Sequence, residues 1–287
     1  MEFVGGQAVI EGVLMKSGSN VAVAVRDQKG NIVIKQEKHK SFTKKHKILN
    51  LPLIRGPIIL LETTILGIKA LNYSADVSLE EEGKKHKKIS TASIISTVLF
   101  SVLFALLLFK LLPLGVAQAA STYDTTFQNR FLFNLVEGLT KIIILVGYIA
   151  LIALMPDVKR VFQYHGAEHK AVNAWEKKDL DNIKKYSTVH IRCGTSFVLF
   201  VLFLSIVVYL FLPTDISFAA KYGLRILLLP LIAGLGYEVI RVSPKYEKYF
   251  LFKMLITPGL LLQRLTTREP TDKQLEVAQA ALRAVST

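Results

Sequence analysis

Four long apolar runs constrain the fold of this chain more than any other feature of its sequence. They extend from Ser90 to Leu112, Leu139 to Met155, Thr195 to Leu212 and Leu224 to Val242. As a helix, the first run of about 23 residues would reach about 34 Å, enough for a hydrocarbon core of about 30 Å. The sequence therefore predicts a mainly α-helical, polytopic membrane protein with four transmembrane helices.

Basic residues alternate between the segments that connect these runs. The N-terminal region, residues 156–194 and the C-terminal tail are rich in Lys and Arg, whereas 113–138 and 213–222 each contain a single basic residue. Because cytoplasmic loops of membrane proteins are enriched in Lys and Arg, we expect an inner-membrane, multi-pass protein with both termini in the cytosol. The basic segment at 38–47 has no aromatic stacking platform, so we expect contact with anionic lipid headgroups and no nucleic-acid partner.

The composition of each segment divides the chain into four predicted regions. Two β-branched runs flank turn-forming residues at 27–31, which is typical of a β-hairpin. The 51–72 segment is apolar but interrupted by Pro52 and Pro57, so we expect it to lie on the bilayer or to re-enter it. The regions are a β-rich cytosolic head with a basic segment at 1–50, an interfacial or re-entrant helix with a charged linker at 51–89, a four-span membrane domain at 90–245 that includes a metal-site loop at 156–194, and interfacial and cytosolic C-terminal helices at 246–287.

The loop between the second and third runs contains the motif that most suggests chemistry. His165, Glu168 and His169 lie at positions i, i+3 and i+4, which on a helix places both imidazoles on one face, about 40° apart. Two such imidazoles form half of a divalent-metal site, and a neighbouring carboxylate can accept a proton from metal-bound water. The order of residues matches H-x-x-E-H, the inverted zinc-protease motif. We therefore predict that His165 and His169 bind metal and that Glu168 is the general base.

The predicted topology brings further polar side chains to the same cytosolic level. His190 and Cys193 precede the third run, and either could complete a tetrahedral site. Glu238 lies near the cytosolic end of the fourth run and is the preferred carboxylate ligand, since a charge there needs a partner or a role. Arg192 and Arg241 are candidates for stabilising an oxyanion or for binding an anionic headgroup of the substrate. The expected cofactor is a divalent metal, and zinc fits these ligands best.

Each of these side chains also has an interpretation without chemistry. The histidines could simply be interfacial residues, and Glu238 could pair with Arg241 one helical turn later. Cys193 is the single cysteine of the chain, so no intramolecular disulfide is possible, and it could be a small buried packing residue.

Four blocks of the sequence resemble signature blocks of a known family. They are Gly5–Lys16, Tyr164–Lys170, His190–Phe197 and Gly236–Arg241. Through them nearly the whole chain resembles the bacterial and plastid family called domain of unknown function 1385, which is described as a predicted metal-dependent membrane enzyme. The resemblance implies a site that contains His165, Glu168, His169, His190, Cys193 and Glu238.

The leading functional hypothesis is a metal-dependent hydrolase that acts on a membrane-associated substrate at the cytosolic face. The alternative is a non-enzymatic membrane scaffold or assembly factor, in which the head recruits a cytosolic protein and the His/Glu/Cys cluster is structural. A homo-oligomer is compatible with either. A transporter is disfavoured, because four spans are few and no charged residue is expected in mid-membrane.

Overall fold

A small antiparallel sheet is followed by a predominantly helical chain. The structure, a computed structural model, describes residues 4–79, 91–246 and 248–286. Within these residues the strands are Val4–Val9 (β1), Gly12–Ser17 (β2), Asn20–Arg26 (β3) and Ile32–Lys38 (β4). The helices are Phe42–Lys45 (α1), Arg55–Leu79 (α2), Thr91–Leu106 (α3), Leu112–Tyr123 (α4), Arg130–Ile152 (α5), Pro156–Glu176 (α6), Gly194–Tyr209 (α7), Phe218–Leu227 (α8), Leu229–Tyr246 (α9), Phe250–Thr266 (α10) and Asp272–Ser286 (α11). The charged linker predicted around Glu80–Glu82 and Lys84–Lys88 lies outside the described residues.

Apolar helices long enough to cross a membrane confirm the predicted fold class. In the described part of the chain, four segments have the required length and composition, and the apolar helix α7 is shorter. Those four segments are Arg55–Leu79, Ala92–Tyr123, Arg130–Ile152 and Phe218–Ser243. Each predicted span therefore corresponds to a helix, and α2 is an additional candidate.

The boundaries of the first two spans differ from the sequence prediction. Residues 113–138, expected to be a polar connection, are mostly helical, because α3 continues through α4 to Tyr123 and α5 begins at Arg130. A π-helical turn at Leu107–Leu111 precedes Pro113, so the missing proline N–H falls where regular helical bonding is already interrupted. The true connection is short, and Asn129 caps α5 by accepting a hydrogen bond from the Phe131 N–H at 2.9 Å.

The sheet is buried on both faces, which explains the almost continuous burial of β2 and β3. Its strands follow the order β1-β2-β3-β4, and side chains alternate between the two faces. One face, which includes Met15 and Ala22, packs against α6 and α11. The other face, which includes Leu14 and Val23, packs against Ala70 and Tyr73 of α2. We call the sheet, the second half of α2, α6 and α11 the head, which is thus assembled from distant parts of the sequence.

Helix α2 connects the head to the membrane helices. In its second half, the Ser74 hydroxyl accepts a hydrogen bond from the Ile10 N–H at 3.1 Å. Its first half packs against α9, where an alanine at Gly56 would bring its Cβ within 2.8 Å of the Tyr237 side chain. Since the sheet covers the second half, the geometry fits a helix that enters the bilayer from the head side with its first half.

Several charged side chains are buried between the membrane helices. Lys110, Glu137, Lys141 and Arg225 are all at most 6% exposed. The Arg225 guanidinium donates to both carboxylate oxygens of Glu137, and Lys141 donates to the same carboxylate at 2.6 Å. Charges that are costly alone in an apolar environment are tolerated here because they pair with one another.

Candidate metal centre

Helix α6 places the H-x-x-E-H motif between the head and the membrane helices. The predicted helical conformation of residues 163–170 is observed. Tyr164, Ala167 and Ala171 lie on the face of α6 that packs into the core of the head. The Tyr164 hydroxyl also donates to the carboxylate of Glu11 at 3.2 Å, in the turn between β1 and β2. These contacts set the rotation of α6 about its axis and thereby the direction of the two histidines.

The imidazole of His165 is oriented by a backbone carbonyl. Its Nδ1 lies 2.8 Å from the carbonyl oxygen of Thr266, at the end of α10. A carbonyl oxygen can only accept a hydrogen bond, so the proton is assigned to Nδ1. The unprotonated Nε2 then points toward Cys193, whose Sγ lies 3.3 Å away. His165 therefore presents a free lone pair in the direction of a thiol.

His169 has the same arrangement with a different carbonyl. Its Nδ1 lies 2.6 Å from the carbonyl oxygen of Thr188, and its side chain is almost fully buried. The rings of His165 and His169 are 4.4 Å apart between centroids and inclined by 61°. In metal sites the second ring nitrogen of a histidine ligand is usually held by a carbonyl or carboxylate. Both imidazoles already have such a partner.

Cys193 completes a group of three potential ligands. It is the N-cap of α7, where its Sγ accepts a hydrogen bond from the Thr195 N–H at 3.4 Å. The ligand atoms of His165, His169 and Cys193 all lie within 4.8 Å of one another. Ligands at about 2.0–2.3 Å from a tetrahedral zinc ion are separated by roughly 3.3–3.8 Å. The donor types and their spacing thus fit three of the four positions around zinc after small side-chain adjustments.

Glu168 lies beside this group without belonging to it. Its side chain is buried, and Oε2 lies 3.5 Å from Nε2 of His169. Strand β1 passes directly over the side chain, because a Cβ added to Gly6 would come within 2.8 Å of the Glu168 Cγ. The carboxylate is thereby held at the edge of the three-ligand group, where it can exchange a proton with a molecule bound there.

His190 and Arg192 converge on a different carboxylate. The Nε2 of His190 lies 3.3 Å from Glu176, and Arg192 forms an ion pair with the same residue. The hydrogen bond from His190, with further help from Arg192, holds the pKa of the Glu176 carboxyl below its usual range. The His190 Nδ1 accepts from the Arg192 N–H at 3.4 Å, and its ring centroid is 5.9 Å from that of His169. The structure therefore places His190 next to the metal group and not within it.

Glu238 is also not brought to the metal group. Its carboxylate accepts a hydrogen bond from the Arg55 Nε at 2.7 Å and forms a second contact with the same guanidinium. Arg241 lies one turn later, 3.8 Å from Oε2 of Glu238, and is half exposed. This ion-paired cluster joins α2 to α9, so Glu238 has the partner that a charge at a membrane edge requires.

Several residues that position the site carry no motif in the sequence. Gln263 is fully buried and holds the His190 backbone from both sides, accepting from its N–H at 2.9 Å and donating to its carbonyl at 2.8 Å. It also donates to the Ser196 hydroxyl at 2.6 Å. The polar Gln263 within the apolar α10 is the only local signal of this role, whereas the carbonyls of Thr188 and Thr266 give none.

Gly166 allows the segment after α10 to approach α6 closely. A Cβ at this position would lie 2.1 Å from the carbonyl oxygen of Arg268. We expect Gly166→Ala to force the two backbones apart, to pull the Thr266 carbonyl away from His165, and to destabilise the fold by about 1–3 kcal/mol. Thermal unfolding in detergent, together with metal content, measures both effects.

The matched control is Gly147→Ala in α5, where an added Cβ meets nothing within 4 Å among the described residues. This control should unfold like the unmodified protein. Equal unfolding temperatures and equal metal contents for the two variants would contradict the proposed close approach.

Comparison with known proteins identifies the family. Residues 51–287 match the family described as "Protein of unknown function (DUF1385)". The chain is 35% identical over 293 aligned residues to the "Uncharacterized protein YqhQ" of Bacillus subtilis (strain 168), and the alignment covers 96% of this chain and 89% of that protein. No solved structure matches the chain. The family match begins just before α2, and the similarity to the relative extends to the N-terminal sheet. The chain therefore belongs to the DUF1385 family.

Proposed function

We propose that this protein is a zinc-dependent hydrolase whose site lies where the head meets the membrane helices. The observation that carries the proposal is the convergence of ligand atoms from His165, His169 and Cys193, with the Nδ1 of each histidine bound to a backbone carbonyl. Backbone carbonyls that accept from the Nδ1–H of histidine ligands are a feature of preorganised metal sites. Histidines that merely lie at the membrane interface do not require them.

The number of ligands favours catalysis over a purely structural metal. Catalytic zinc sites usually have three protein ligands and an open position, whereas structural sites have four. When bound, the metal would act as a Lewis acid and lower the pKa of a water molecule. Glu168 lies close enough to His169 to accept the proton of the attacking water and to pass it to the leaving group.

The position of the site favours a membrane-associated substrate. Cys193 directly precedes the apolar helix α7, and His165 is held by the last residue of α10, which packs along α7. A substrate that reaches the site would thus approach at the level of the lipid headgroups. We assign this level to the cytosolic face of the inner membrane, from the positive-inside bias. The exposed Arg241 is a candidate contact for an anionic headgroup, whereas Arg192 is held by Glu176 and would act at the rim.

Cobalt substitution tests the ligand set directly. We expect the cobalt-loaded protein to show a thiolate-to-cobalt charge-transfer band, because Cys193 Sγ would bind the ion together with two imidazoles. Cys193→Ser should abolish this band while the d–d absorption of bound cobalt persists. Ser205→Ala, about three turns along α7, serves as the control and should retain the band, because the Ser205 hydroxyl donates to the Leu202 carbonyl within the same helix. A band that persists in Cys193→Ser would exclude Cys193 as a ligand.

A thiol hydrolase is the second candidate, favoured by one specific contact. Cys193 Sγ lies 3.3 Å from His165 Nε2 at the N-terminus of α7, and cysteines in such surroundings can form reactive thiolates. This candidate predicts that the metal-free protein is active, that iodoacetamide abolishes the activity, and that zinc inhibits it. The zinc hydrolase predicts the opposite dependence on zinc, with bound zinc protecting Cys193 from alkylation.

A further inference from the structure

A second polar region lies at the end of the membrane helices opposite the head. Tyr209, at the end of α7, is 16 residues beyond Cys193, which corresponds to about 24 Å along a helix. Lys110, Lys141 and Arg225 surround its ring at 5.3, 4.5 and 5.0 Å from the centroid. This second region therefore has no residue in common with the metal centre, and we refer to its side of the membrane domain as the far side.

Positive charge exceeds negative charge in this cluster. Glu137 is the carboxylate that pairs with Arg225 and Lys141. Lys110 instead donates to the hydroxyl of Tyr209 at 2.8 Å. Three buried basic side chains thus surround Tyr209 beside one buried carboxylate in the described part of the chain. An excess of positive charge in an apolar environment raises the local potential and attracts an anion.

A polar cavity of about 440 Å³ opens toward the far side next to this cluster. Most of its lining side chains carry hydroxyl, amide or charged groups, and they include Gln118, Ser121, Thr122, Gln128, Thr214 and Lys221. The volume falls within the range of about 300–1,000 Å³ that is typical of small-molecule sites. Asp215 also lines the cavity and is exposed, so it lies toward its aqueous opening.

Lys221 connects the cavity to the cation cluster. It lines the cavity, yet its side chain is only 5% exposed. Its Nζ donates to the Gln118 Oε1 at 2.8 Å and lies 4.9 Å from the centroid of the Phe133 ring. Arg225 is one helical turn deeper and donates to the Lys221 carbonyl oxygen at 3.1 Å. The cavity thus has a buried ammonium group in its wall and further positive charge beneath it.

The remaining contacts of Arg225 decide which cation can bind a ligand. Its guanidinium donates to Glu137, to Asn134 at 3.2 Å and to the Lys221 carbonyl. These bonds hold Arg225 as a fixed positive base below the cavity. An ammonium group has three N–H donors, so Lys221 can contact a ligand oxygen while it keeps its bond to Gln118.

We propose that this cavity binds a phosphate group that enters from the far side of the membrane. Lys221 supplies the charged contact, and the hydroxyl and amide groups of residues such as Thr122 and Gln128 supply hydrogen-bond donors for the remaining phosphate oxygens. Arg225 and Lys141 strengthen binding through their positive potential. The phosphate group is either inorganic phosphate or the headgroup of an anionic phospholipid, and the site is independent of the proposed hydrolase.

Binding measurements on the full-length protein test this site. Inorganic phosphate is titrated by calorimetry into protein in a lipid-free detergent. In parallel, phosphatidylglycerol retention is measured by native mass spectrometry after reconstitution in nanodiscs, with phosphatidylcholine as the reference lipid. We expect Lys221→Met to weaken binding at least about tenfold, because the charged contact is lost. Asp215→Asn should tighten binding by a few-fold, because it removes a negative charge from the opening.

The control variant is Lys177→Met, which removes a positive charge from the exposed end of α6 and should bind phosphate like the unmodified protein. Thermal unfolding of every variant identifies loss of fold. Binding of inorganic phosphate in detergent that depends on Lys221 would support the site with a soluble ligand, and phosphatidylglycerol retention that depends on Lys221 would support it with a lipid ligand. The proposal would be overturned if folded Lys221→Met bound the ligand as tightly as the unmodified protein. It would also be overturned if neither the unmodified protein nor Asp215→Asn bound phosphate or phosphatidylglycerol.

Discussion

Replacing both His165 and His169 with alanine is expected to reduce the bound zinc from about one ion per chain to background. The substitutions remove two of the three atoms that converge in the structure, and one thiolate alone cannot hold zinc tightly in competition with water. Bound metal is measured by inductively coupled plasma mass spectrometry on detergent-purified protein after zinc loading and dialysis.

Two single variants make this measurement specific. His46→Ala changes an exposed histidine of the N-terminal region and should leave the metal content unaltered. His190→Ala should also retain the metal, because the two ring nitrogens of His190 contact Glu176 and the Arg192 N–H. A double variant that binds as much zinc as the unmodified protein, or an unmodified protein that binds none after loading, would exclude the proposed centre.

Glu168→Gln is expected to separate catalysis from metal binding. Glutamine keeps the size of the side chain beneath β1 but cannot accept a proton, so turnover should fall by about 10²- to 10⁴-fold. The zinc content should remain unchanged, since Glu168 does not belong to the three-ligand group. The rate is measured by mass spectrometry, as product formation after the purified enzyme is added to a solubilised bacterial membrane fraction.

The matched control is Glu269→Gln, a mostly exposed carboxylate on the segment that follows α10. It should affect neither turnover nor metal content. If Glu168→Gln retained full turnover, the general-base role would be excluded. If it restored a deletion strain as well as the unmodified protein did, the scaffold function would be favoured over the hydrolase. Loss of zinc from Glu168→Gln would instead identify Glu168 as a fourth ligand.

The helical spacing of the motif could be predicted because it depends on local geometry. His165 and His169 are four residues apart, and an α-helix places two such residues on one face whatever surrounds the helix. Their proximity to Cys193 could also be anticipated from topology, because the intervening chain leaves one membrane helix and enters the next at the same level. The topology allows a contact between the two residues but does not predict the 3.3 Å distance between His165 Nε2 and Cys193 Sγ.

The same reasoning about membrane level placed Glu238 too close to the histidines. Glu238 and the histidines lie near the same end of the membrane helices, but an equal depth in the membrane does not make two residues neighbours in the membrane plane. Glu238 is paired with Arg55, which is 183 residues away in sequence. Pairing over such a separation depends on how α2 packs against α9, so it could not be predicted from the local sequence around either residue.

The pairing of the buried charges could be predicted only in part, for a related reason. Lys141 and Arg225 lie within or beside apolar runs, where isolated charges are disfavoured. Their interaction with Glu137 offsets the loss of hydration. Lys141 lies one turn from Glu137 on the same helix, whereas Arg225 belongs to α8 and meets Glu137 only after the helices pack. The helix of the first apolar run also continues beyond Leu112, because the π-helical turn at Leu107–Leu111 accommodates Pro113.

By itself the sequence determined the membrane class, the hairpin strands, the helical phase of His165 and His169, and the family. These properties depend on hydrophobicity and on spacing over a few residues, which neighbouring atoms decide. Tertiary structure alone decided that carbonyls of Thr188 and Thr266 orient the two imidazoles, that Glu238 pairs with Arg55, and that buried cations gather at the far side. Those contacts join segments that are distant in sequence, so their energies exist only after the helices and the sheet have packed together.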